Sequence, residues 1–273
     1  MQNQRRPRGR PKSQFKESSA GTMQALDRAL SVLTAVAGTD RSSLTDLAQA
    51  LDIPTATTHR ILTTLQKHGY VGFDEERQEW MIGIGAYRAG ATYLKRNSVI
   101  EVGQPVLRRL MRETGETANL AVPDGAHVVF VGQVETENPI RAFFPPGSRA
   151  KMHASGTGKA ILAAWPEDRL QRFFRDEDLP RHTDHTLSDR AALEADLGQT
   201  RVRGWSYDHA ERYDGMSCIG AAIYDQSGQP CAGVSVSGPS DRFTGDRTGA
   251  IGKVVRAAAD EITRASGGRH PAA

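Results

Sequence analysis

Arg60 stands at helical spacing with Ala56, Thr63 and Lys67, and Thr57 and His59 flank it. On an exposed helix these residue types suit phosphates and the base edges of a major groove. Arginine offers a planar fork of donors, and threonines add compact hydroxyls. A second chemical set is His153-Ala154-Ser155-Gly156-Thr157-Gly158-Lys159-Ala160, a small-residue turn running into the apolar Ile161-Leu162-Ala163-Ala164. The first turn of a helix has free N–H groups and the positive end of the dipole. A small carboxylate can therefore sit against the amides of Gly156 and Thr157. The same glycines equally suit a turn that packs closely on a sheet, and local sequence leaves both roles open. The Gly-Lys pair is not a nucleotide-binding loop, which needs Gly at position 153 and Ser or Thr at position 160, where this chain has His153 and Ala160.

Other reactive residue types do not assemble into a centre. His182 and His185 share one-face helical spacing, but their segment is polar and follows Pro180, so it reads as a solvated loop and not a metal site. Cys218 and Cys231 are the only cysteines, too few for a disulfide framework and suited to a reducing cytoplasm. Both read as sheet residues. No Ser-His-Asp set has a recognisable spacing, so neither catalytic residues nor a cofactor is expected.

The elements that must hold these groups are legible. Ser43 is a candidate N-cap, after which Leu44, Leu47, Ala48 and Leu51 fall on one face. Pro54 starts a second helix after a turn at Asp52–Ile53, with Thr58, Ile61, Leu62 and Leu65 facing inward. Upstream, Met23, Leu26, Ala29, Leu30, Leu33 and Ala37 form an apolar stripe expected to close a three-helix core. Tyr70–Phe73 and Trp80–Ile82 are β-prone runs around the polar 74–79 segment, the pattern of a winged helix-turn-helix. The wing tip carries three acids against Arg77, a poor phosphate clamp. Groove reading is therefore assigned to the second helix, with Thr55, Thr57, His59, Arg60 and Thr63 as the DNA-binding set.

Charge points the same way. The chain has 273 residues and a formal net charge of +3, yet residues 1–22 hold six Lys and Arg against one Glu, so this arm carries +5 and the rest −2. Arg8-Gly9-Arg10-Pro11-Lys12 resembles an AT-hook core, in which a stiff extended backbone lets arginines enter a narrow minor groove. Arg8 and Arg10 are accordingly added to the DNA-binding set, on an arm expected to be disordered.

Residues 84–96 read as a helix with Ala86, Ala89, Gly90 and Tyr93 along one side, suited to be both linker and dimer seam. Half-site readers work as symmetric pairs, because one recognition helix covers few base pairs. From residue 98 the pattern is mixed. It has an amphipathic helix over Val99–Thr114 and a hairpin of Ala118–Val122 with His127–Val134. Further strands are expected at Ile140–Phe144, Cys218–Tyr224 and Pro230–Val236, with a last helix over Asp246–Ser266. The fold class is α+β, an N-terminal winged helix-turn-helix domain, a linker helix, and a C-terminal domain with an antiparallel sheet backed by helices. The expected boundaries are 1–22 basic arm, 23–83 winged domain, 84–97 linker, 98–266 effector domain and 267–273 tail. No apolar run spans a membrane and no signal-peptide core is present, so a cytoplasmic protein is expected.

Taken together, several motifs resemble the IclR family of bacterial transcriptional regulators. They are Ala25-Leu26-Asp27-Arg28-Ala29-Leu30, Leu47-Ala48-Gln49-Ala50-Leu51, Thr57-Thr58-His59-Arg60-Ile61-Leu62, the 153–160 turn, Gly204-Trp205-Ser206 followed by Asp208, and Ser235-Val236-Ser237-Gly238-Pro239. The resemblance covers roughly residues 23–266. Within the family the chain is similar to the glyoxylate-responsive repressors of allantoin and glyoxylate metabolism. The shared stretches include Asn119-Leu120-Ala121-Val122, Pro146-Gly147-Ser148-Arg149 and Ser217-Cys218-Ile219.

This resemblance implies a GAF/profilin-like effector domain, double-stranded operator DNA as partner, and a homodimer assembling as a dimer of dimers. It also implies that glyoxylate is held by the amides of Gly156 and Thr157 together with Asp208, Met216 as apolar wall, Cys218, Ser235 and Ser237. Relatives often carry Leu where this chain has Met216, and a residue smaller than Thr157. Ser235 and Ser237, two apart on a strand, present both hydroxyls to one face. Asp208 beside an anion is repulsive unless it is protonated or bonded to the aldehyde end as a hydrate, and both remain open. Two rival readings stand beside this one. The first is the same architecture sensing pyruvate or an aromatic acid, and the second is an enzyme using Cys218 as nucleophile.

Overall fold

The computed structural model describes residues 23–96 and 98–271. The expected basic arm, with Arg8 and Arg10, lies outside the described residues. Two compact units divide between Tyr93 and Leu94.

The first unit is built from α1 (Gln24–Ala37), α2 (Leu44–Ala50) and α3 (Thr55–Lys67), followed by a small sheet. Ser43 caps α2 by accepting the Asp46 amide proton, and the turn before α3 puts Asp52 at φ +51°. The sheet orders β1 (Ser42–Ser43), β3 (Glu79–Ile82) and β2 (Val71–Asp74), all antiparallel. Val32, Val36, Leu47, Ile53, Leu62, Val71 and Trp80 form the core. Here the expected α1 stripe needs correction. Of that stripe Leu33 packs against the core, but Met23, Leu26 and Leu30 are exposed, and the helix turns Val32 and Val36 inward. The α1 sequence carries two overlapping apolar stripes, and the one that meets Leu62 and Trp80 wins the core. The wing tip is tied down locally. Asp74 accepts the amide protons of Glu76 and Arg77 and pairs with Arg41, and these bonds hold its carboxyl below the usual range. The last helix to begin in this unit is α4 (Ile84–Arg96), which leaves Ile84, Tyr87 and Tyr93 exposed.

The second unit centres on a six-stranded antiparallel sheet, ordered β6 (Arg149–Lys151), β5 (His127–Val134), β4 (Thr117–Asp124), β9 (Pro230–Pro239), β8 (Met216–Tyr224) and β7 (Ser206–His209). Strand alternation sorts its side chains onto two faces. Leu120, Ile219, Val234 and Val236 join the apolar face, packed against α5 (Ser98–Thr114) and α9 (Gly245–Ala265). The opposite face meets α6 (Gly156–Ala164), with α7 (Glu167–Asp176) and α8 (Arg190–Arg203) behind it.

The expected strand at Ile140–Phe144 is not formed. Pro139, Pro145 and Pro146 bracket the segment, and prolines cannot donate to a ladder. It runs irregularly, with Ile140 and Phe143 exposed, Ala142 buried, and Phe144 stacked on Phe130 at 4.9 Å. The third strand of that edge is β6 instead.

Candidate functional site

Cross-strand register on the α6 side of the sheet assembles the residues the motifs singled out. Asp208 of β7 pairs with Cys218 of β8, Cys218 with Ser237 of β9, and Ser237 with Thr117 of β4. The next row is Ser206, Gly220, Ser235 and Asn119. Paired residues share a face, so two polar rows lie side by side under the start of α6.

The helix comes down onto these rows because nothing bulky stands in the way. A side chain at Gly156 would meet Cys218 Sγ at 2.7 Å, and one at Gly220 would meet the Gly156 carbonyl carbon at 2.5 Å. Ser206 Oγ, between them, donates to the carbonyl oxygen of Gly156. Close packing on the sheet is thus one role of the 153–160 turn. Ser155 caps α6 at Gly158 N (2.9 Å), and the Gly156 amide meets the Cys218 sulfur.

A cavity of about 20 Å³ lies at this junction. Thr157, Asp208, Met216, Cys218 and Ser237 line it, with Gly156 and Ser235 directly behind. Thr157 Oγ1 and Ser235 Oγ are buried with no hydrogen-bond partner among the described residues, so polar capacity is held in reserve. The remaining walls were not read from sequence. They are Phe130, Ala142, Phe144 and Ala150 on the apolar side, with Ser155, Arg212, Tyr213 and Ser217 completing the lining. The signal for Ala142 and Phe144 was the aromatic 140–144 run, which looks like a strand in isolation, and Phe130 lies on β5.

Burial and the negative charge of Glu211 push the Asp208 carboxyl up to about 7, against the pull of Lys159, the Glu211 amide and Arg212. Burial, with Asp208 beside it, likewise pushes the Cys218 thiol up to about 11. A protonated thiol is a poor nucleophile and a serviceable weak donor. Asp208 itself is pinned. The Glu211 amide donates to its Oδ1 at 2.8 Å, and the 183–186 loop holds the next residues, Thr183 Oγ1 donating to the Ala210 carbonyl and Thr186 Oγ1 to that of Glu211. Behind Asp208, fully buried Lys159 bridges Glu211 and Asp196. This lysine, not a phosphate-binding one, explains the Gly-Lys pair.

His182 and His185 are exposed loop residues, stacked on His153 and against His209 respectively. Burial lowers His153 to about 4, and its Nε2 lies 3.0 Å from the Pro180 carbonyl.

In the first unit, Thr55, His59, Arg60 and Thr63 are exposed on α3 and Thr57 is half-buried. Thr63 Oγ1 donates to the His59 carbonyl, which leaves its oxygen as an acceptor only. Thr57 and Arg60 border a groove of about 370 Å³ whose far wall is α1, with Arg28 on it. Arg60 thus has a second exposed arginine across a shallow apolar floor.

A winged helix-turn-helix on one chain with an α+β domain enclosing a small cavity that combines apolar walls with polar side chains is the plan of a ligand-responsive transcriptional regulator. The model for the IclR helix-turn-helix domain matches residues 25–75, and that for the bacterial transcriptional regulator IclR C-terminal domain matches residues 91–264. The chain belongs to the IclR family. It is 47% identical over 259 residues to the HTH-type transcriptional regulator BhcR of Paracoccus denitrificans, covering 94% of this chain and 92% of that one. It is 39% identical to the transcriptional repressor IclR of Escherichia coli, covering 96% of each. Among solved structures, the Thermotoga maritima IclR superposes with a TM-score of 0.73 at 27% identity, covering 90% of this chain and all of that one. The family consists of DNA-binding regulators and not enzymes, so the Cys218 enzyme reading falls, in line with the raised thiol pKa. Among the described residues no helix is long and apolar enough to cross a membrane.

Proposed function

We propose that this regulator binds its operator as a dimer, within a dimer of dimers, and that glyoxylate occupying the Asp208–Cys218–Ser237 cavity alters that binding. The regulated genes serve glyoxylate-related carbon metabolism in the cytoplasm. The observation that carries the reading is the cavity's size together with its lining. About 20 Å³ is room for one or two water-sized groups, since each needs roughly 10–15 Å³. A two-carbon acid needs the least widening, pyruvate adds a methyl, and an aromatic acid would require a cavity nearer the ~150 Å³ that holds benzene. Calorimetric titration of the full chain with glyoxylate, pyruvate and benzoate tests this order. Silence with glyoxylate and heat with either rival would overturn it.

Asp208 gives the site a pH sign. Below about 7 its carboxyl is neutral and can donate to an anion; above, it repels one. Binding an anion then takes up a proton, so glyoxylate affinity is expected to rise as pH falls from 8 to 6, by at most about tenfold per unit for one group. Asp208→Asn is expected to flatten the profile. Affinity independent of pH in the parent chain would remove Asp208 from the ligand's neighbourhood.

For DNA, we assign groove contacts to Thr55, Thr57, His59, Arg60 and Thr63, and minor-groove contacts to Arg8 and Arg10. Arg60→Ala is expected to cost about 1–3 kcal/mol of specific binding to DNA from the promoter of its own gene. An unchanged gel-shift midpoint would exclude Arg60 from the interface.

A further inference from the structure

We propose that Asn119, oriented by Gln133, fixes the Ser237 hydroxyl as a hydrogen-bond donor toward the cavity and so makes the site selective for a carboxylate. The inference rests on the reading of this cavity as the glyoxylate site.

Three groups on three neighbouring strands carry it. Gln133 Nε2 on β5 donates to Asn119 Oδ1 on β4 at 3.1 Å. Asn119 Nδ2 in turn donates to Ser237 Oγ on β9 at 3.3 Å. Asn119 is completely buried and Ser237 nearly so, which leaves no bulk water to substitute for either bond. A carboxamide presents its oxygen and nitrogen on opposite sides. With Gln133 donating N–H to the oxygen side, the nitrogen side faces Ser237. The serine oxygen is thereby occupied as acceptor, and its own proton is directed away from Asn119. The weak acceptor Cys218 Sγ lies beside that hydroxyl, and a carboxylate oxygen displaces so poor a partner readily. Without the relay, Ser237 could rotate and accept as well as donate, and the site would lose its preference for a pure acceptor. Asn119 and Gln133 are positioning residues, since neither lines the cavity.

Reversing the relay from its far end tests this. In Gln133→Glu a carboxylate accepts from the Asn119 amide nitrogen, the carboxamide turns over, and Ser237 donates to Asn119 instead of to ligand. Gln133→Lys, a donor only, preserves the original sense. The full chain is titrated calorimetrically with glyoxylate as these two variants, as Ser237→Ala, and as Ser237→Ala combined with Gln133→Glu. Gln133→Glu is expected to weaken binding about tenfold or more, the scale of one bond to a charged acceptor. Gln133→Lys should stay within about threefold of the parent, and Gln133→Glu should shift affinity less than about threefold when Ser237 is already alanine. Equal losses with and without Ser237 would show simple charge repulsion and overturn the relay. So would a loss in Gln133→Lys as large as in Gln133→Glu, or no loss in either. Silence of the parent chain toward glyoxylate is a separate result, which defeats the effector reading before any variant is compared.

Discussion

Lys159→Met is expected to lower the stability of the second unit by about 3–5 kcal/mol, because it strands buried carboxylates that the ammonium now compensates. Lys159 is fully buried, and Glu211 is nearly so. Burial alone would lower the lysine pKa, but Glu211, Asp196 and Asp208 more than offset it and hold Lys159 above its ordinary value. By linkage, this raised pKa contributes stability that is complete below the unfolded lysine value, near 10.4, and is lost as pH rises through the folded one. The ammonium therefore acts at all ordinary working pH. For a unit of this size the loss corresponds to a fall of roughly 6–20 °C in unfolding temperature. Scanning calorimetry checks it, and an unchanged midpoint would contradict the network. Adding Glu211→Leu to Lys159→Met should recover much of the loss, since removing both buried partners is near neutral where removing one is not. The consequence reaches the site, because Lys159 also donates to the Tyr207 carbonyl and so ties α6 to the strand that presents Asp208.

Ser235→Ala with Ser237→Ala carries the second large expectation. It should weaken glyoxylate binding by more than about a hundredfold while leaving operator affinity unchanged. Each hydroxyl that donates to an anion is worth roughly 1.5–3 kcal/mol, and two lost together exceed the ~2.7 kcal/mol of a hundredfold change. Ser235 Oγ has no hydrogen-bond partner among the described residues, so its removal breaks no existing hydrogen bond. Ser237 gives up one bond from Asn119. Retained ligand response would move the effector elsewhere. Parallel loss of DNA binding would point to general unfolding.

What could be read in the chain depended on the distance over which each residue acts. The α2–turn–α3 unit was legible because its determinants are local: Ser43 caps, Pro54 starts a helix, and Thr58 and Leu62 share a face. The two polar rows were legible only in part. Ser235 and Ser237 lie on one strand, but their alignment with Cys218 and Asp208 is a matter of register between strands. The Lys159 network was not legible, because Glu211 lies 52 residues away and no pattern joins them. The 140–144 segment misled for the opposite reason. Its β-prone side chains are real, but prolines on both sides deny it a ladder, and Ala142 and Phe144 serve as cavity wall while Phe143 is exposed. In α1, two apolar stripes compete and only the tertiary core chooses between them.

Effector and operator are linked only if glyoxylate binds the DNA-competent and DNA-incompetent arrangements unequally. The direct measurement is fluorescence anisotropy of the full chain on DNA from the promoter of its own gene, with and without saturating glyoxylate. The expected result is a change in operator Kd of about fivefold or more, the scale of a 1 kcal/mol coupling, absent from the Ser235→Ala, Ser237→Ala chain. An operator Kd identical in both conditions, while calorimetry shows the cavity filled, would contradict the account.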